Sequence, residues 1–156
     1  MIPAPTRFDR ALSVTYCDDI RQEIGHKLSL MGIYQNELRV QAFPTTLAKL
    51  CVLIEISAPK NKPFSFADVT IYLDDDAIAN VQFEGSALFA SATATNKRAG
   101  TVTVTTSHAL PLPNLELTGS ATLQVRAQFD DGEILAGDSL RMIGQAPVSS
   151  KASCAK

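Results

Sequence analysis

From Ala121 to Phe129 the chain alternates without a break. Ala121, Leu123, Val125, Ala127 and Phe129 interleave with Thr122, Gln124, Arg126 and Gln128. An apolar–polar period of two predicts a strand with one buried face and one wet face. Asp131-Gly132 follows, and a Gly at positive φ suits a two-residue hairpin turn. That turn pairs Phe129 with Ile134, Ala127 with Ala136, Leu123 with Leu140 and Ala121 with Met142. Val125 opposite Asp138 is the mismatch, and Gly137 beside it predicts a bulge.

Similar patterns predict strands over 12–16, 27–34, 37–42, 47–56, 69–73, 78–83 and 101–106. Asp19 as cap and Gln22 three residues on predict one helical turn over 19–24. Asp74-Asp75-Asp76 reads as a turn between strands. Pro111 and Pro113 are expected to bracket another. Residues 85–100 are rich in Ala, Ser and Thr without a period, and read as a long loop or irregular edge. The fold expectation is all-β: a single antiparallel β-sandwich of eight to nine strands, immunoglobulin-like or C2-like, with a closed barrel as its rival. Residues 1–10 are expected as an N-terminal arm, 11–144 as the domain and 145–156 as a disordered tail.

A length of 156 residues suits one domain, and 46% hydrophobic residues can bury a core. The charged fraction, 19%, is low against a usual value of about 25%. That leans toward a neutral or apolar surface, and so toward a protein partner or a homo-oligomer. Net charge is −2 and no Lys/Arg stripe is present, which argues against nucleic acid. No run nears the roughly 20 apolar residues that span a bilayer. The start lacks the basic region and apolar core of a secretory signal. The expected location is cytoplasmic, or the virion if the chain is a phage structural protein.

Chemistry is weakly signalled. The acidic clusters Asp18-Asp19, Asp74-Asp75-Asp76 and Asp130-Asp131 offer oxygens for a hard cation. Successive side chains on an extended chain point apart, however, so solvated turns explain them as well. His26 and His108 lie far apart in sequence. Cys51 sits in an apolar run, where burial raises a thiol's pKa. No nucleophile elbow, phosphate loop, dinucleotide fingerprint or zinc-protease motif occurs. The expectation is no catalytic residue, no metal and no cofactor.

Two surfaces remain as candidate partner contacts. One is the charged set Asp18, Asp19, Arg21 and Glu23. The other is on the 47–56 strand, where Leu50, Val52, Ile54 and Ile56 form the core stripe and Leu47, Cys51 and Leu53 make the opposite face apolar. Either the 85–100 segment covers that face or a second subunit or partner does; the small-residue composition of 85–100 favours the partner.

Cys17, Asp18, Lys27, Leu28, Ser29, Leu30, Gly32, Ile33 and Tyr34 form a segment with an individual pattern. It resembles the opening of a poorly characterised family of small bacterial and phage-encoded β-sandwich proteins. Asp131-Gly132-Glu133 resembles that family's end. His26 departs from the small residue expected before the Lys. The resemblance implies a fold and brings no activity and no catalytic residue. The functional expectation is a non-catalytic protein-binding or assembly module of bacterial or phage origin. The alternatives are a virion accessory or decoration protein, and a metal-dependent ligand binder or enzyme using the acidic loops.

Overall fold

In a computed structural model, described over residues 9–95 and 103–145, the alternating segments become ten strands and the 85–100 region yields a helix. Strands β1 (Ala11–Glu23), β2 (Lys27–Tyr34), β4 (Thr45–Pro59) and β7 (Thr103–Leu117) form one sheet, in the order β2-β1-β4-β7. The second sheet contains β3 (Glu37–Val40), β5 (Phe66–Leu73), β6 (Asp76–Glu84), β8 (Ala121–Phe129), β9 (Ile134–Ala136) and β10 (Leu140–Gly144). Its order is β3-β10-β8-β5-β6, with β9 on β8. The expectation of purely antiparallel pairing is corrected at one place: β3 runs parallel to β10. Gln35-Asn36 joins β2 to β3 without pairing them. It carries the chain from one sheet to the other.

One hydrophobic cluster joins the sheets. Val14, Tyr16, Leu50, Val52, Ile54 and Ile56 come from the first, and Val69, Ile71, Leu123, Val125, Leu140 and Met142 from the second. These are the inward members of the period-two pattern, and their burial is the main favourable term in folding.

The final hairpin holds the expected pairs at its far end, Leu123 with Leu140 and Ala121 with Met142. Near the turn the register differs by one: Ala127 meets Leu135 and Gln128 meets Ile134. The cause is a three-residue loop instead of two. The Phe129 N–H donates to the Glu133 carbonyl at 2.9 Å, and Gly132 holds the left-handed position at φ 88°. The offset is absorbed between β9 and β10, where the Gly137 N–H donates to Val125. This interruption splits one expected strand into two.

Three further expectations are corrected. Residues 19–23 form no helical turn, because β2 pairs with β1 along that length, down to Glu23 opposite Lys27. Pro111 and Pro113 sit inside β7 and bracket no turn. They are two apart, so both present the missing N–H on the same side, and β7 is an edge where that side needs no partner. Residues 86–95 form helix α1 (Ser86–Thr95). Its small-residue composition hides any helical stripe, yet Phe89 packs edge-on against Phe64 at 5.5 Å and anchors it.

Asp9 and Arg10 are the described part of the expected arm, and Arg10 is buried. Expectations for residues 1–8, for 96–102 and for 146–156 lie outside the described residues.

Candidate functional site

The sheet of β2, β1, β4 and β7 changes character beyond Cys17. β4 pairs with β1 from Ala11 to Cys17, and Cys17 meets Cys51 at the last rung. From there, among the described residues, β1 pairs with β2 alone through Asp19 with Met31, Arg21 with Ser29 and Glu23 with Lys27. A two-stranded ribbon therefore projects from the core. Its turn is built by Gly25 and His26, both at positive φ. Ile24 at the tip is 98% exposed, Ile33 58% and Met31 44%. The two-sided apolar pattern of β2, with Leu28 and Leu30 on one face and Met31 and Ile33 on the other, was the readable signal for this surface.

The charged candidates lie on this ribbon, on strand and not on a loop. Asp18 accepts a hydrogen bond from the Tyr34 hydroxyl. Asp19 accepts from Lys49 and, at 3.1 Å, from Arg21. Those two cations, Lys49 first, hold the Asp19 carboxyl below its ordinary value. Burial, and then the bond to Asp18, pushes the Tyr34 phenol up to about 12. Glu23 is exposed opposite Lys27. Asp18 and Asp19 are thus committed to internal partners that fix the root of the ribbon.

Leu47, Cys51 and Leu53 do not form one exposed face. Leu47 is half-buried and packs against the core. Opposite it, Leu115 is buried in the same core as Leu112, three positions earlier. Asn114, left-handed at φ 50°, turns β7 over between them. Cys51 and Leu53 do lie away from the core stripe, yet both are buried within the chain, at 3% and 7% exposure. The expectation that a second molecule must cover them is corrected.

Asp74, Asp130 and Asp131 close turns. Asp74 Oδ1 accepts from the Thr122 N–H at 2.8 Å, and Asp130 accepts from Ser65. Asp131 accepts from the Glu133 N–H and from Arg10 at 2.7 Å. Arg10 also donates to Glu133, Lys62 and Pro63, and stacks 4.6 Å from the Phe129 ring centroid. This buried Arg, which pattern reading missed, ties the chain's start to the 59–63 turn and the last hairpin. Among the described residues no group of three or more His, Cys, Asp or Glu side chains is placed to hold a metal. His26 lies at the ribbon tip, while His108 of β7 packs edge-on against Phe83 of β6. A cleft of about 450 Å³ opens between Asn36, Glu37, Asp138, Ser139 and Arg141. Its cation is already paired, with Arg141 bonding Glu37 at 2.9 Å.

Residues 12–138 match a family of unknown function, DUF6941. The chain belongs to this family. The DUF6941 match includes the ribbon, the Asp18 contact with Tyr34 and the hairpin that Arg10 clamps. No curated protein matches the chain. Among the described residues, no helix is long and apolar enough to cross a membrane.

Proposed function

We propose that the chain is a non-catalytic protein-binding or assembly module, a β-sandwich of immunoglobulin-like or C2-like outline whose β1–β2 ribbon makes the contact. One observation carries the reading. The ribbon leaves the core at Cys17 and exposes Ile24, Leu28, Met31 and Ile33 along an edge strand. Isolated two-stranded ribbons are marginal in water, and exposed apolar edges invite pairing. Of the other edges, β9 is only three residues long, although Ile134 on it is exposed, and the rest are blunted. Pro111 and Pro113 lie in β7, Asp76 and Glu84 bound β6, and Glu37 and Arg39 lie on β3. β2 carries no charge and no proline from Leu28 to Tyr34.

Arg21 and Glu23, opposite Ser29 and Lys27, share the ribbon face of Met31 and Ile33 and give it a polar border. The resemblance of residues 17–34 to bacterial and phage proteins supports such a setting. The location is then the cytoplasm, or the virion for an accessory or decoration protein. The test replaces Ile24 and Ile33 with Lys in the full chain. Light scattering across a dilution series, and cross-linking in host lysate, should show self-association or a protein contact in the parent. Both variants should lose it at an unchanged melting temperature. A parent that stays monomeric, with cross-links that do not respond to the variants, overturns the reading.

A further inference from the structure

Cys17 and Cys51 stand directly opposite each other on antiparallel neighbours. Such residues lie about 4.5–5.5 Å apart at Cα, within the roughly 4.4–6.8 Å that a disulfide bridges. Both are free thiols and both are buried. Their rung is the last that β1 shares with β4, so it marks the root of the projecting ribbon. Cys51 also lines a small cavity of about 140 Å³ with Ile20, Lys49, Ala109, Leu110 and Pro111. A molecule the size of a peroxide fits there, beside a lysine ammonium.

We propose that Cys17 and Cys51 form a reversible cross-strand disulfide that clamps the root of the β1–β2 ribbon, with a hydroperoxide as oxidant. Cys51, at the cavity, attacks first. Its sulfur bonds one peroxide oxygen, the O–O bond breaks, and the released oxygen leaves as water or an alcohol with the thiol proton. Cys51 is then a sulfenic acid. Cys17 attacks that sulfur, the S–S bond forms, the S–O bond breaks, and the hydroxyl leaves as water with the Cys17 proton. Two thiols are oxidised and one peroxide is reduced. Burial, followed by the neighbouring Cys51, pushes the Cys17 thiol up. Cys17, whose thiol also donates to the Asp19 carbonyl at 3.5 Å, suits the second role. A small dithiol reverses the bond by exchange.

The test uses the full chain with Cys154→Ser, so that two thiols remain. The folded protein is treated with hydrogen peroxide, then denatured and alkylated, and weighed intact. The expected product is monomeric, lighter than the reduced parent by two hydrogens, without alkylatable thiols and restored by dithiothreitol. It should form faster in the folded state than in urea, because the rung holds the sulfurs together. With Cys17→Ser added, Cys51 should take up dimedone as a trapped sulfenic acid. The proposal is overturned if both thiols survive peroxide in the folded protein, if the bond forms only in urea, or if Cys51 never takes up dimedone.

Discussion

The Asp18 carboxylate lies across the backbone of Gly32, so close that a Cβ added to Gly32 would stand 2.0 Å from Oδ2. Gly32 also has a positive φ of 65°. Two independent constraints therefore demand glycine at the same rung. The carboxylate is held there by the Tyr34 hydroxyl, which explains why Asp18, Gly32 and Tyr34 form one pattern in the sequence.

Gly32→Ala should lower unfolding stability by about 2 kcal/mol, from left-handed strain plus the clash. Adding Asp18→Ala removes the clash and leaves the strain. The double variant should recover part of the loss, read by urea denaturation. A Gly32→Ala protein as stable as the parent would show that the carboxylate does not occupy that space.

Gly132→Val tests strain without crowding. No atom lies within 4 Å of an added Cβ, yet φ is +88°. The cost should be about 1–2 kcal/mol, and Gly132→Asn should cost less, since Asn tolerates this region. Thermal melts of the two variants check it. Equal melting temperatures would mean that backbone conformation is not what the turn requires.

Arg10→Met should cost about 2 kcal/mol. It removes donors to the Lys62 and Pro63 carbonyls and to two carboxylates. It also takes the guanidinium away from the Phe129 ring. The penalty should appear in urea denaturation. It should stay below that of a fully buried pair, because Asp131 and Glu133 keep access to water.

The pH dependence has a defined sign. Asp131 lies below its ordinary value, first because the Glu133 N–H donates to it and then because of Arg10. Asp19 and Glu37 shift the same way through Lys49 and Arg141. Carboxylates with a depressed folded pKa stabilise above the unfolded value and lose that contribution as pH falls through the folded one. The melting temperature should fall on acidification below a pH of about 4. Asp131→Asn should flatten the fall, and Arg10→Met should flatten it less, because the backbone donor remains.

Leu53→Lys should destabilise the monomer strongly, by about 3 kcal/mol or more, because it places an unpaired ammonium where the chain admits little water. Circular dichroism melts check this. A variant that melts like the parent would mean that the site opens easily to solvent.

Sequence pattern determined most, not all, of the strands and their inward residues. Local alternation depends only on which side chains avoid water, so the cores of β4, β5 and β8 were legible. So were the distal register of the last hairpin and the break at Gly137. Tertiary structure decided what depends on partners distant in the chain. Residues 19–23 stay extended because β2 lies alongside them, overriding a sound capping signal. Pro111 and Pro113 are tolerated because β7 is an edge, and sheet order is not written in local pattern. α1 forms where Phe89 finds Phe64, although its own residues show no stripe. Arg10 is buried because its carboxylate partners lie at the opposite end of the sequence. Cys17 and Cys51 looked unrelated until antiparallel register placed them on one rung. Leu47 changed sides because the left-handed Asn114 turns the strand opposite it.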